Sequence, residues 1–180
     1  MSPPPNDEPP IPQVLHQADR FQVVQMHQRI PDGSSVARQI VLHPGAVAII
    51  PVLDDGRICL IRNFRIAVGK TLLELPAGTL DRPEPPSQTA RRELAEETGY
   101  LADRWRELPG FFMSPGILRE RMHVFVAEGL REGPPHREAG EEIANHLVQA
   151  DEALSMATDG RIEDAKTIAA LLMWDRLGRS

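Results

Sequence analysis

Long apolar runs, a second cysteine and an excess of positive charge are all missing from this sequence, and each absence removes a class of function. No stretch of about 18 or more apolar residues occurs, so no segment suits a membrane-spanning helix. The amino-terminal stretch lacks a basic region followed by an apolar core, the pattern of a secretory signal, and a cytoplasmic location is expected. The single cysteine, Cys59 in "RICLIR", has no partner for an internal disulfide and reads as a small buried side chain. A formal charge of -6 argues against a nucleic-acid backbone as partner, because such binders carry a basic stripe or excess. A small anionic substrate fits only if something local reverses the sign.

What is present is enough for one folded domain: 180 residues, 41% of them hydrophobic, can close a core. The opening "MSPPPNDEPPIP" is proline-rich without apolar periodicity, and residues 1–15 are assigned to a disordered or extended tail. Then come the β-rich runs "FQVVQMHQRI", "SSVARQIVL", "AVAIIPVL" and "RICLIRNF", separated by turn compositions. Asp55-Gly56 between two apolar strands predicts a tight hairpin, since Gly tolerates the positive φ it needs. A helix is expected near Gln88 to Thr98, with Ser87 as N-cap and Gly99 as the left-handed stop. Strands are expected at "RMHVFVAE" and "EIANHLVQ", then helices at "DEALSMAT" and "EDAKTIAALLMWDRL". In the last, Ile168, Leu171, Leu172 and Trp174 to Leu177 suit a face packed on the sheet. Strands first, one helix embedded and helices last describe an α+β layered domain, with 16–42 as amino-terminal antiparallel strands and 43–180 as its body.

One short helix is crowded with negative charge. In "ARRELAEETGY", Glu93, Glu96 and Glu97 fall within an arc of about 100° on one side. A solvated face with an Arg92 to Glu96 pair is one reading, and a site that converges on a cation is the other. The flanks separate them. Gly78, five residues, Glu84, seven residues, Arg92-Glu93-Leu94, one residue, Glu96-Glu97, one residue and Gly99-Tyr100 make a pattern that resembles the Nudix box, with every fixed position filled. Seven fixed letters coincide by chance on the order of once in 10⁹ starting points. A hard divalent ion among the carboxylates relieves their repulsion, and it lets an acidic chain bind an anion.

The resemblance implies a Nudix-like α/β/α sandwich with a mixed sheet. It implies Glu93, Glu96 and Glu97 as ligands of Mg²⁺, Mn²⁺ or another divalent cation, with the Ala77 carbonyl as a further one. Arg92 orients the acidic side chains in that scheme, and Glu84 supports them. The stretch "RNFRIAVGKTLLELPAGTLD", and Pro115 placed 16 residues after Gly99 in "SPGILRER", are similar to the ADP-ribose pyrophosphatase subgroup. Hydrolysis of ADP-ribose to AMP and ribose 5-phosphate follows from that likeness; another nucleoside diphosphate sugar or a dinucleotide is the alternative substrate, and a non-catalytic ligand sensor the alternative class. Arg65, and more weakly Arg38, are implied as grips on the diphosphate, with Pro115 and Gly116 as further substrate-binding candidates. The general base is placed at Glu142, with Glu141 and Glu120 as competitors; His43 reads as a turn residue, and nothing positions His146. Where the subgroup often carries an acidic pair after "SPG", this chain has Ile117-Leu118-Arg119. The subgroup also implies a homodimer through the amino-terminal strands and a small nucleotide as substrate, while charge and hydropathy argue against nucleic acid and membrane as partners.

Overall fold

The computed structural model describes residues 12–133 and 144–179. In chain order it holds β1 (Gln13–Gln17), β2 (Gln22–Arg29), β3 (Ser35–Leu42), β4 (Ala46–Pro51), β5 (Arg57–Arg65), β6 (Lys70–Glu74) and β7 (Ala77–Thr79). Helix α1 (Pro86–Thr98) follows, then β8 (Tyr100–Ser114), β9 (Leu118–Glu132), β10 (Ala144–Gln149), α2 (Ala150–Thr158) and α3 (Ala165–Leu177).

Strand β4 explains the layering. Its "AVAIIP" is buried along its whole length, as a strand covered on both faces must be. Ala46, Ala48 and Ile50 join Met122, Val124 and Val126 of β9 in one apolar cluster, which also holds Leu60, Met156, Leu171 and Trp174. Val47 and Ile49 face the other way, onto Ala90 and Leu94 of α1. The result is a helix, a central sheet, and a second layer of α2, α3 and small-sheet residues, which is the α+β sandwich expected.

The larger sheet runs β1-β2-β3-β9-β4-β7, with β8 also paired to β9. It is mixed: β4 lies parallel to β9, Ala46 opposite Met122 and Ile50 opposite Val126, while β1, β2 and β3 form an antiparallel arm. The smaller sheet is β10-β5-β6.

Several expectations change. The Asp55-Gly56 turn forms, with Gly56 at φ 82° and its N–H donating to the Leu53 carbonyl at 2.9 Å. It does not make a hairpin within one sheet. Both edges of β4 are taken by β9 and β7, so β5 leaves for the smaller sheet after a single bridge, Val52 to Ile58. Helix α1 starts one residue before Ser87, capped by Pro85 with proline in the first turn, where a preset φ and a missing N–H cost nothing. Gly99 does stop it, at φ 75°, donating to the Ala95 carbonyl. Gln13 to Leu15, assigned to the tail, belong to β1. Strand β8 was not expected, since Pro109 and Gly110 interrupt its pattern; the pairing shifts register there and continues, as a β-bulge allows. On α3, Leu171 and Trp174 are buried, while Leu172 and Leu177 face outward. Cys59 is buried, and burial pushes its thiol up to about 12, the state of an inert core cysteine.

Candidate active site

The site is built where α1 and β7 meet over β4. Strand β7 pairs with β4, Ala48 opposite Ala77 and Val47 opposite Gly78. Helix α1 docks on the same strand through Ala90 and Leu94. This forces the Ala77-Gly78 backbone against the acidic face of the helix. A Cβ on Gly78 would lie 2.0 Å from Glu93 Cδ and 2.1 Å from Glu93 Oε1, so any larger residue there must displace the Glu93 side chain. One turn further along, the Ala77 N–H donates to Glu97 Oε2 at 2.8 Å, and Glu97 is buried.

Arg92 holds the other carboxylates. Its Nη1 donates to Glu93 Oε1 at 2.8 Å and to Glu96 Oε2 at 2.7 Å, and its Nε to Glu84 Oε1 at 3.3 Å. Glu84 also accepts from the Thr89 hydroxyl at 3.0 Å, and its support goes to the arginine. Arg92 Nη2 is buried without a hydrogen bond, and stands 3.9 Å from Asp81 Oδ1. Burial, with Glu96 adding to it and Arg92 opposing it, pushes the Glu93 carboxyl up to about 7.

The expectation that the acids converge on one point needs correction. Among the described residues, no three acidic, imidazole or thiol side chains are gathered as a metal cage. The guanidinium lies between Glu93 and Glu96, and Glu97 is turned to the Ala77 amide. The donor set still fits a hard cation: carboxylate oxygens on one side, a peptide carbonyl on the other, and a cradle at Gly78 that a Cβ would fill.

In front of these residues lies a cavity of about 370 Å³. Five cationic side chains, Arg20, Arg65, Arg82, Arg92 and Lys166, face six acids, Asp81, Glu93, Glu96, Glu97, Glu120 and Asp164. Arg65 lines it, but its fork is engaged: Nε and Nη2 bind Glu74 at 2.8 and 2.7 Å. Glu74 is fully buried; burial raises its proton affinity, but Arg65 and Lys166 outweigh this and hold its carboxyl below the usual range. Lys166 also bonds Glu74, and stands 2.9 Å from Asp164. Asp164 caps α3 by accepting from Thr167 N–H, and the Thr167 hydroxyl accepts from Leu75 N–H at 2.8 Å. Sequence reasoning missed Glu74, Lys166, Asp164, Arg20 and Arg82. The signal available for Glu74 was its place four residues before Gly78; nothing local connected it with Lys166.

The remaining candidates scatter. Glu120 lines the cavity, with Oε1 3.4 Å from His43 Nδ1. Arg38 does not: it sits on the β3 arm and donates to Gln28 at 3.4 Å. Pro115 and Gly116 form the exposed turn between β8 and β9, and Met113 and Glu120 on either side reach the cavity in their place. His146 lies in β10 opposite Leu60, away from the carboxylates. Glu141 and Glu142 lie outside the described residues. The residues flanking that stretch meet at the end of α1: Gly133 N–H donates to the Gly99 carbonyl at 2.8 Å, and Asn145 to the Thr98 carbonyl at 2.8 Å.

A central mixed sheet with a helix that offers glutamates to a glycine-lined turn is the frame of a known class, and the comparisons name it. The NUDIX domain model matches residues 42–171, and the chain belongs to that family. An ADP-ribose pyrophosphatase of Bacillus subtilis is 40% identical, over 79% of this chain and 78% of its own. One from Mycobacterium tuberculosis is 38% identical, over 89% of this chain and 79% of its own. A methanol dehydrogenase activator of Bacillus methanolicus is also 38% identical, over 79% and 78%. Among solved structures, an ADP compounds hydrolase superposes with a TM-score of 0.79 at 21% identity, covering 97% of this chain and all of that one, a likeness of fold.

Proposed function

We propose that this chain hydrolyses the diphosphate bond of ADP-ribose, giving AMP and ribose 5-phosphate, with Mg²⁺ or Mn²⁺ as its cation. The observation that carries this reading is the contact of Gly78 with Glu93, which opens the box carboxylates and a peptide edge onto one charged cavity. Relatives that are 38 to 40% identical bear the name ADP-ribose pyrophosphatase.

Glu93, Glu96, Glu97 and the Ala77 carbonyl would hold the cation. When bound, it supplies a lowered pKa for water and a positive field on the phosphoryl oxygens. Arg92 aims Glu93 and Glu96 by bonding both. Arg65 lies on the cavity wall with its side chain 42% exposed; Nε and Nη2 bond Glu74, and the remaining guanidinium N–H groups can donate to a diphosphate oxygen. Among the described residues, Arg20 and Arg82 carry neither an ion pair nor a side-chain hydrogen bond, and both line the cavity; they supply further positive charge for an anion. Glu142 remains the proposed base, with Glu141 and Glu120 behind it. We assign the chain to the cytoplasm, and the arm of β1, β2 and β3 to a homodimer contact.

The test is a panel. The purified protein is incubated with Mg²⁺ and ADP-ribose, GDP-mannose, diadenosine polyphosphates or flavin adenine dinucleotide, and products are separated by chromatography. AMP and ribose 5-phosphate formed fastest from ADP-ribose support the reading, and preference for another member of the panel replaces the substrate.

A further inference from the structure

We infer that Lys166 is a positioning residue for anion binding: by balancing the buried Glu74 carboxylate, it leaves the Arg65 guanidinium available to a diphosphate in the cavity. This rests on the proposed diphosphate chemistry.

The observation is an arrangement of charge that the box does not require. Glu74 has no exposed surface, so its charge must be met from within the protein. Two cations meet it, Arg65 through a two-pronged bond and Lys166 through its ammonium. Both cations line the cavity. They differ in freedom: Lys166 is about nine-tenths buried and also pinned by Asp164 at 2.9 Å, while Arg65 is 42% exposed. Lys166 is the fixed partner and Arg65 the one that can share its donors with a ligand. Without the ammonium, the whole Glu74 charge falls on Arg65, which a single unbalanced carboxylate holds tightly. Fewer of its donors are then left for an anion.

The anchoring fits this role. Asp164 and Thr167 start α3, and the Thr167 hydroxyl holds the Leu75 amide, so the ammonium is fixed relative to the strand that leads into Ala77 and Gly78.

The claim that Lys166 acts only through Glu74 is testable by a cycle of variants. Steady-state kinetics are measured for wild type, K166M, K166R, E74Q and E74Q/K166M, on the panel compound that wild type turns over fastest. K166M is expected to raise KM by about tenfold while kcat changes less, the pattern of lost ground-state binding. K166R, which keeps the charge, should restore most of the difference. In the E74Q background, Lys166→Met should leave KM within about twofold, since no buried charge remains to balance. A purely structural lysine would instead lower the folded fraction or melting temperature in both backgrounds without moving KM. An unchanged KM in K166M, or an equal rise with and without Glu74, overturns the inference. If K166M fails to fold, E74Q against E74Q/K166M decides it: a tenfold difference there overturns it, equality supports it. Turnover by wild type with no KM effect removes this inference alone, whereas no turnover of any panel member removes the proposed function and this inference with it.

Discussion

The Gly78 α-carbon lies so close to the Glu93 carboxyl that a methyl group there would sit 2.0 Å from Glu93 Cδ. The contact exists because β4 carries β7 on one edge and helix α1 on one face. Gly78→Ala is therefore expected to displace the Glu93 side chain. Overpacking of this kind costs about 1–3 kcal/mol, and the loss in kcat should be larger than the loss in stability suggests. Thermal melting and turnover of the variant check this; wild-type turnover would show that Glu93 does not need its place beside the β7 backbone.

Glu97→Gln tests the carboxylate without removing its structural bond. The amide oxygen of glutamine can still accept from the Ala77 N–H, as Glu97 Oε2 does at 2.8 Å. The fold should survive, with a circular dichroism spectrum like that of wild type, and most Mg²⁺-dependent hydrolysis should vanish. Turnover within a factor of two of wild type would refute the assignment.

The partly buried Glu93 gives the metal-free protein a distinctive pH response. Its carboxyl is raised from 4.5 to about 7, so between those values the folded state keeps a proton that the unfolded state has released. Stability must then fall as pH rises through that window, the reverse of the contribution from Glu74, which is held low. Denaturant melts of wild type and Glu93→Gln in chelator, at pH 5 and pH 7.5, isolate the term: wild type should lose stability relative to the variant as pH rises. A constant difference would contradict the raised affinity.

The helix carrying the acids, its Gly99 stop and the burial of Trp174 and Cys59 were legible because each depends on near neighbours in sequence. The division into two sheets was not. Asp55-Gly56 specifies a turn, but which sheet the next strand joins depends on β9 and β7 occupying both edges of β4. The site divides the same way. Glu93, Glu96, Glu97 and Arg92 follow from one spacing, whereas the pairing of Glu74 with Lys166 joins residues 92 positions apart, which no local pattern reveals. Likeness alone pointed to Pro115, yet its neighbours reach the cavity; the turn sets where β8 and β9 reverse. Arg38 lies in a strand of the arm, and its distance from the carboxylates depends on how far that arm extends from the sheet.

The central claim is that a divalent ion among the box carboxylates turns an acidic surface into a binding place for a phosphate anhydride. Its most direct test is a crystal grown with Mn²⁺ and a slowly hydrolysed ADP-ribose analogue, with the manganese located by anomalous scattering. The account predicts at least one peak bounded by Glu93, Glu96, Glu97 and the Ala77 carbonyl, in contact with the diphosphate. A bound analogue with Arg92 still bridging Glu93 and Glu96, and no metal peak between the acids and the phosphates, would contradict it.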